Sequence, residues 1–438
     1  IVASKSGSTP EMRTLYAYFR ERCEETLGVG EWPQHFVAIT DPGTSLADLA
    51  TDKGFRALYL NPADVGGRFS GLSLFGLVPA ALLGIDLDRL LERAGEMARA
   101  CRAVAEGENP ALVLGAAMGA LATRAAPPRD KVTLLTSPGL AAFGPWMEQL
   151  VAESTGKDGV GLVPVVDEPP LPPDLPRPAD RLWVYLRLSA ADNAATDARV
   201  ASLVAAGEPV IALSVPDAYA LGAEFYRWEF ATAIAGRLLG VNPFDQPDVD
   251  SAKRQAQQAL DRYEETRSLS EETPLIEEGT LALYGPPRGA GDVVGYLAAF
   301  LGDARPGDYA ALLAYIERSA EHAAVLEGLA ARMRAALGIP VTIGFGPRFL
   351  HSTGQLHKGG PDTGLFLQIT PTDARDLPIP GSGYSFGVLK RAQAIGDLNA
   401  LRDAGRRVVR VDIGEDVAQG LAALDEALVG ALARRAAS

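Results

Sequence analysis

The first turn of the sequence, SKSGSTPE, holds side chains suited to bind a phosphate group. Ile1-Val2-Ala3 has the pattern of the end of a buried strand, and Ser8 and Glu11 are spaced as a capping box at a helix start. In such a strand-to-helix turn, backbone N–H groups and the positive end of the helix dipole converge. Four side chains add hydroxyl donors and one positive charge: Ser4, Lys5, Ser6 and Thr9. The turn therefore predicts a phosphate monoester site, and a capped turn that binds nothing is the alternative.

A second candidate is an arginine that follows two glycines in the stretch DVGGRFSGLS. Gly66 and Gly67 allow close approach of a ligand to the backbone. The guanidinium of Arg68 then offers a rigid fork of donors to an oxyanion or a phosphate. The alternative interpretation of Arg68 is a surface arginine in an ordinary ion pair.

The stretch 146–161, WMEQLVAESTGKDGVG, predicts an amphipathic helix followed by a glycine-rich loop. Gln149 and Glu153 are four residues apart and therefore share one face of this helix. A partly buried carboxylate at the mouth of a phosphate-binding cleft can take a proton from a carbon next to a carbonyl. The alternative is a solvated glutamate near a helix end.

Three further stretches carry weaker signals. Periodicity alone makes Lys253 a surface lysine in a helix that begins after a proline. The glycine-rich stretch 346–361 carries His351 and His357, whose spacing does not match a helical metal pair. We expect loop histidines there, and a functional role and a solvated or capping role both stay open. The segment 281–297, LALYGPPRGAGDVVGYL, imitates a dinucleotide turn but lacks its glycine spacing.

Composition excludes several classes of partner. The 438 residues are 47% apolar and carry a formal net charge of −14, with no basic cluster denser than GRRVVRV at 405–411. Nucleic acid and anionic membranes are therefore poor candidates as partners. No apolar run reaches the roughly 18 residues that a membrane span needs. The two cysteines, Cys23 and Cys101, lie in helical patterns, which predicts buried thiols in a reducing compartment and a cytoplasmic protein.

Strand-like apolar runs alternate with amphipathic helices along the chain, which predicts an α/β fold with parallel sheets covered by helices on both faces. The predicted strands are HFVAIT, FRALYL, KVTLLT, RLWVYLRL, EPVIALSV, TLALYG, DYAALLAYI, PVTIGFG, GLFLQIT and RRVVRVDI. The predicted helices are 10–27, 85–106, 144–155, 193–206, 222–239, 250–267, 290–302, 318–337 and 385–404. A proline-rich linker at 165–180 and a polar joint at 265–279 divide the chain into three predicted domains: 1–165, 166–267 and 268–438.

Taken together, these motifs resemble those of glucose-6-phosphate isomerases. The similar elements, in family order, are SKSGSTPE, GGRFSGLS, EQLVAESTGK and GVNPFDQPDVDSAK. The resemblance implies flavodoxin-like sugar-isomerase domains in 1–165 and 166–267, followed by an additional C-terminal α/β region. Two later stretches, PRFLHSTGQLHKGGP and YSFGVLKRAQAIGDL, resemble the isomerase part of bifunctional transaldolase/phosphoglucose isomerase proteins. This second likeness implies that a strand, and a whole transaldolase barrel in the fused proteins, precedes Ile1.

The resemblance also implies roles for individual residues. It assigns the sugar phosphate to Ser4, Lys5, Ser6 and Thr9, and further substrate contacts to Gln149 and Gly67. Arg68 would hold the enediolate, Glu153 would move the proton between C2 and C1, and Lys253 would lie near the ring oxygen. The family's ring-opening histidine has no counterpart in LGAEFYRWEFATA. Its role would fall to Glu224, His351 or His357, of which we favour a histidine, His357.

The implied activity is the interconversion of glucose 6-phosphate and fructose 6-phosphate by a homodimer, without metal, nucleotide or flavin. One rival is a regulatory module that binds a sugar phosphate without catalysis, and the pair of Glu153 and Arg68 speaks against it. A second rival is a transaldolase that works through a lysine Schiff base, but the sequence lacks the pattern of a (β/α)₈ barrel.

Overall fold

The computed structural model describes residues 1–104, 107–166, 168–170, 175, 177–269 and 272–437. The helices in these residues are α1 (Pro10–Leu27), α2 (Ser45–Lys53), α3 (Leu74–Leu82), α4 (Leu87–Ala100), α5 (Pro110–Arg124), α6 (Phe143–Thr155), α7 (Ala194–Ala205), α8 (Leu221–Leu239), α9 (Val249–Thr266), α10 (Val293–Gly302), α11 (Ala320–Leu337), α12 (Gly354–Gly359), α13 (Phe386–Asp403) and α14 (Val417–Ala437). The strands are β1 (Val2–Ala3), β2 (Val37–Thr40), β3 (Ala57–Leu60), β4 (Lys131–Thr136), β5 (Val163–Val165), β6 (Arg181–Leu188), β7 (Val210–Val215), β8 (Ile276–Glu278), β9 (Leu281–Tyr284), β10 (Tyr309–Ala314), β11 (Val341–Phe345), β12 (Gly364–Thr370) and β13 (Arg407–Asp412).

The predicted α/β class is confirmed. Each predicted strand contains an observed strand, and each predicted helix contains an observed helix within a few residues, except that the helix expected over 85–106 ends at Ala100. Residues 105 and 106 lie outside the described part of the chain. Parts of the predicted linker and joint also lie outside it, at 167, 171–174, 176, 270 and 271. No helix among the described residues is both long and apolar enough to cross a lipid bilayer.

The structure divides into two compact units. Unit 1 comprises residues 1–114, 215–231 and 377–386, and unit 2 comprises 115–214, 232–376 and 387–438. This division differs from the three predicted domains. The expected boundary between 165 and 166 falls inside one sheet, because β4 pairs with β5 on one side and with β6 on the other.

Unit 1 contains a three-stranded parallel sheet in the order β1-β2-β3, with Val2 opposite Ala38 and Val37 opposite Ala57. Its core is aromatic: the rings of Trp32, Phe36 and Phe55 lie within 6.0 Å of one another between centroids. These apolar contacts fix the end of β1, and the turn that follows β1 carries the predicted phosphate-binding residues.

Unit 2 contains two sheets. One has the order β5-β4-β6-β7, and the other has the order β11-β10-β12-β13-β9-β8. In the six-stranded sheet, β10 to β13 are parallel, whereas β9 is antiparallel to both β13 and β8. The two sheets share a buried cluster in which Ala152, Val163 and Val165 pack with Tyr309, Phe366 and residues of α13. The region after residue 268 is therefore packed directly against the helix that carries Glu153.

Candidate functional site

In unit 1, the turn between β1 and α1 has a different cap from the predicted one. Thr9, not Ser8, is the N-cap of α1, and its side chain makes no capping hydrogen bond to the helix. The predicted capping box of Ser8 and Glu11 is therefore wrong. The Thr9 hydroxyl instead lies 2.9 Å from the hydroxyl of Ser4, which also accepts a hydrogen bond of 3.1 Å from the Gly7 backbone N–H. Ser4 thus organises the turn from a buried position.

Lys5 and Ser6 are the more accessible members of this turn. Ser6 is exposed, and its hydroxyl lies 2.9 Å from that of Ser8. Lys5 is half-exposed and donates to the carboxylate of Asp41 at 2.6 Å and to the Ala63 carbonyl at 2.6 Å. The ammonium group is therefore held at a defined place beside the turn, where a second anion would share it with Asp41.

The structure explains why position 7, in SKSGST, is a glycine. Its φ is +69°, and a Cβ there would come within 2.9 Å of the backbone nitrogen of Leu46. The chain thus passes close to the start of α2, where the Ser45 hydroxyl donates to the Gly7 carbonyl at 3.1 Å. A side chain at position 7 would be strained by its backbone and would clash with α2.

Arg68, also in unit 1, lies in a short 3₁₀ turn over Gly67–Phe69 and is only 3% exposed. Its guanidinium carbon is 5.3 Å from the centroid of the Phe69 ring. The neighbouring Gly67 is exposed, and a Cβ there would meet no protein atom within 4 Å. Neither its backbone nor its packing needs a glycine, so this position is open for a ligand to lie against the main chain.

Glu224 is the third notable group of unit 1. It lies in the first turn of α8, is 1% exposed, and has one carboxylate oxygen 3.3 Å from a guanidinium nitrogen of Arg227. Burial raises the pKa of Glu224 to about 7, and the charge of Arg227 opposes this rise without cancelling it. A carboxyl group with this pKa can both donate and accept a proton near neutral pH.

In unit 2, Glu153 lies on α6, where every residue from Leu150 to Thr155 is buried. The helix packs into the shared core and Glu153 is only 8% exposed, whereas Gln149 on the same face is half-buried. The amide of Gln149 donates to the Glu153 carboxylate at 3.2 Å. The predicted spacing of these two residues is thus realised as a direct contact, which orients the carboxylate.

Lys157, just after α6, links two of the sequence motifs. It is 1% exposed, and its ammonium group donates to the backbone carbonyls of Asn242 and Asp245 and to the Asp245 carboxylate at 2.6 Å. These acceptors belong to the NPFDQP loop that precedes α9. A buried lysine that satisfies several oxygens fixes the end of α6 against this loop. Sequence reasoning missed its role, since a lysine after a helix-ending glycine usually lies in solvent.

Gln355, on α12, connects the same two helices a second time. Its side chain is fully buried. The amide nitrogen donates to the carbonyl of Gly156 at 2.9 Å and to the carboxylate of Asp248 at 2.5 Å, and the amide oxygen accepts from the Asp248 backbone at 2.9 Å. Gly156 is the C-cap of α6 and Asp248 is the N-cap of α9. One glutamine therefore positions the helices of Glu153 and Lys253.

Glycines allow these elements to approach closely. A Cβ at Gly156 would lie 2.4 Å from the Cα of Leu356, and a Cβ at Gly359 would lie 2.1 Å from the Asp248 carboxylate. The φ of Gly156 is −82°, so close packing and not backbone strain explains this residue. Lys253 itself is exposed on α9, as its periodicity predicts.

The structure does not support the ring-opening role that the sequence favours for His357. This residue is not in a loop but in α12, is 3% exposed, and has aromatic rings around it, with the Phe366 and Phe349 centroids at 4.9 and 6.2 Å. Burial, and then the charges of Lys358 and Arg406, lower the pKa of His357 well below its usual value. It is a buried core residue. His351 is half-buried in a 3₁₀ turn over Arg348–His351.

Comparison with known proteins identifies the family. A glucose-6-phosphate isomerase of Acetivibrio thermocellus is 31% identical over 313 residues, which cover 62% of this chain and 68% of that protein. A glucose-6-phosphate isomerase of Rubrobacter xylanophilus is 33% identical over 58% of this chain and 66% of its own length. A solved structure of a hypothetical protein from Thermus thermophilus is 30% identical with a TM-score of 0.51, covering 59% of this chain and 70% of that one.

These similarities have defined limits. No protein-family model matches the sequence. The chain spans slightly less than two thirds of several curated relatives, for example 64% of the Enterococcus faecalis glucose-6-phosphate isomerase, with which it is 31% identical. The identity of 31% over 68% of the length of the Acetivibrio thermocellus protein is nevertheless enough to show a common family. This chain belongs to the glucose-6-phosphate isomerase family.

Proposed function

We propose that this chain interconverts glucose 6-phosphate and fructose 6-phosphate through an enediolate intermediate. The observation that carries the proposal is the buried carboxylate of Glu153, which the amide of Gln149 orients at 3.2 Å on a helix whose residues from Leu150 to Thr155 are all buried. An isomerase of this kind needs a base held firmly beside the reacting carbons. The relatives named as glucose-6-phosphate isomerases support the choice of substrate.

In the proposed reaction, Glu153 removes the proton from C2 of the open-chain aldose. The electron pair of the C2–H bond forms the C1=C2 double bond, and the aldehyde oxygen becomes negatively charged. Arg68 is assigned to this oxyanion. Glu153 then returns the proton to C1, while the proton of the C2 hydroxyl passes to the charged oxygen on C1, so C2 becomes the ketone and C1 carries a hydroxyl. The substrate is oxidised at C2 and reduced at C1, so no external oxidant is needed.

The remaining assignments concern binding. Lys5, Ser6 and Thr9 are assigned to the sugar phosphate, with Ser4 shaping the turn that presents them. Phosphate binding far from the reacting carbons orients the sugar for proton transfer. Gly67 is assigned to a close approach of the substrate to the backbone, because no protein atom occupies the space beside this residue. Lys253 keeps the role near the ring oxygen that the family resemblance gives it.

Glu224 is our proposal for the ring-opening step. Opening requires a group that gives a proton to the ring oxygen and accepts one from the hydroxyl at C1. Burial raises the pKa of Glu224 to about 7, which suits proton exchange in both directions at neutral pH. The aromatic enclosure of His357 argues against that residue, and His351 stays as the rival to Glu224.

The test is a substitution of Glu153 by glutamine. We expect Glu153→Gln to lower kcat about a thousandfold while KM changes little, because only proton transfer is lost. The matched control is Glu148→Gln on the same helix, where the carboxylate is similarly buried and lies 3.7 Å from Arg348 in an ion pair. This control should keep kcat within a few-fold of the wild type.

A coupled assay for fructose 6-phosphate decides between the proposal and its rival. Turnover by the wild type that Glu153→Gln abolishes supports the isomerase. If the wild type binds fructose 6-phosphate but does not isomerise it, the chain is a regulatory binding module instead. Equal turnover in the wild type and Glu153→Gln would refute the assignment of the base.

We further propose that the chain acts as a cytoplasmic homodimer and as the isomerase part of a transaldolase fusion. The fusion rests on the likeness of 347–361 and 384–398 to such proteins, and the cytoplasmic location rests on the small number of cysteines in the sequence. An immunoblot of cells that produce this chain tests the fusion. A band of this chain's own mass, 46.1 kDa, would contradict it.

A further inference from the structure

A cavity of 510 Å³ in unit 2 is lined by four arginines. They are Arg288, Arg402, Arg406 and Arg407, and Glu272 supplies the one carboxylate among the described lining residues. Three of these arginines come from the segments 281–297 and 405–411, which the proposed isomerase reaction does not use. The lining thus concentrates positive charge on a chain whose net charge is −14.

The topology of the six-stranded sheet explains why these segments meet. Strand β9 is antiparallel to β13, with Tyr284 opposite Arg410. The end of β9 and the beginning of β13 therefore lie at the same edge of the sheet. The loop that leaves β9 at Gly285 and the turn that enters β13 at Arg407 both open onto the cavity.

Ion pairs outside the cavity hold two of the arginines in place. The guanidinium of Arg288 donates to Asp303 at 2.7 Å, and that of Arg407 donates to Asp308 at 2.7 Å. Neither aspartate lines the cavity. Each arginine is thus ordered before any ligand arrives, which lowers the entropic cost of binding.

Arg406 is ordered by neutral groups. One of its guanidinium nitrogens donates to the carbonyl oxygens of Lys358 and Gly360 at the end of α12, the latter at 2.7 Å. Its carboxylate partner is Asp362, at 3.7 Å with a side chain that is 62% exposed. The side chain of Arg406 is only 10% exposed, and at 3.7 Å Asp362 is beyond hydrogen-bond distance, so the charge of Arg406 is only partly compensated.

We propose that this cavity binds a small metabolite that carries two or more phosphate groups. The four guanidinium groups line the cavity with one carboxylate among the described residues, and the carboxylates that pair with Arg288, Arg406 and Arg407 lie outside the lining, so a ligand with several phosphate oxygens suits the cavity better than one with a single carboxylate. The volume is in the range of small-molecule sites. No aromatic residue is among the described lining residues, so the site offers no stacking surface for a nucleobase.

Calorimetric titration with inorganic pyrophosphate and with inorganic phosphate tests the proposal. We expect the wild type to bind pyrophosphate with a Kd below about 1 mM and at least about tenfold more tightly than phosphate. Arg402→Gln should weaken pyrophosphate binding about tenfold or more. Arg402 is partly exposed at the end of α13 and pairs with Glu272, so its loss is compatible with folding.

Two control variants make the outcome unambiguous. Arg332→Gln removes an exposed arginine of α11 that pairs with Asp425 away from the cavity, and it should bind pyrophosphate like the wild type. Lys5→Gln alters the turn of unit 1 assigned to the sugar phosphate, and it should also keep pyrophosphate binding. The proposal is overturned if the wild type does not bind pyrophosphate, if Arg402→Gln binds it normally, or if Lys5→Gln abolishes the binding. These titrations do not depend on isomerase activity.

Discussion

Gln355 offers the sharpest test of how the structure positions Glu153. Substitution by leucine keeps the size of the side chain but removes hydrogen bonds to the carbonyl of Gly156, to the backbone N–H of Asp248 and to the Asp248 carboxylate. At about 1 kcal/mol each, these three bonds predict a loss of about 3 kcal/mol in the free energy of unfolding of unit 2. The Gly156 carbonyl lies in a buried place, so water cannot easily replace its lost partner.

Urea unfolding followed by tryptophan fluorescence, together with steady-state kinetics, measures the effect of Gln355→Leu. We expect a lower unfolding midpoint and a fall in kcat of about tenfold or more, because α6 loses the contact that fixes its C-terminal end. Gln257→Leu is the matched control. Gln257 is exposed on α9 and donates to Asp261 at 2.8 Å, so this change should cost less than about 0.5 kcal/mol. An unchanged midpoint in Gln355→Leu would refute the proposed linkage of α6 and α9.

Four other substitutions test three separate points. Gly156→Ala should prevent folding of unit 2 or lower its melting temperature strongly, because the new Cβ would lie 2.4 Å from the Cα of Leu356; a normal melting curve would contradict this packing. Burial raises the pKa of Glu229 from its ordinary value of 4.5 to about 8. The neutral carboxyl group therefore contributes to the free energy of unfolding in full below pH 4.5, and this contribution is lost as the pH rises toward 8. Glu229→Gln should therefore melt at a higher temperature than the wild type near pH 8, with a difference that shrinks toward pH 5, and a constant difference would count against the explanation. Glu224→Gln should lower kcat about a hundredfold and remove an inflection near pH 7 from the pH profile of kcat/KM. His351→Gln should keep this inflection. If His351→Gln removes the inflection and Glu224→Gln keeps it, the ring-opening role belongs to His351.

Helix α6 shows how much of this structure the local sequence pattern predicts. The apolar spacing of 144–155 predicts the helix, and the four-residue interval predicts the contact of Gln149 with Glu153. The glycine after this helix also correctly predicts its end. Both features depend on residues within one or two turns of each other, so neither requires knowledge of the rest of the chain.

The stretch 346–361 shows where local pattern fails. Its polar and glycine-rich composition predicts an exposed loop, but residues 354–360 are buried and include α12. Lys358 is buried because its ammonium group donates to Asp397 at 2.6 Å, 39 residues away. Gln355 forms hydrogen bonds with Gly156 and Asp248, which are 199 and 107 residues away in the sequence. Hydropathy cannot predict burial when the partners that satisfy the polar groups lie so far along the chain.

Sequence alone determined the α/β class, most of the strands and helices, and the motifs that place this chain in its family, whereas helices α2, α3, α5, α12 and α14 were not predicted. These properties follow from periodicity and turn chemistry, which act between near neighbours. Only the tertiary structure decided that β9 runs antiparallel, that His357 is buried among aromatic rings, and that Gln355 and Lys157 hold the helices of Glu153 and Lys253. Such properties arise from contacts between distant segments, where burial and hydrogen-bond partners set the charge and position of each group.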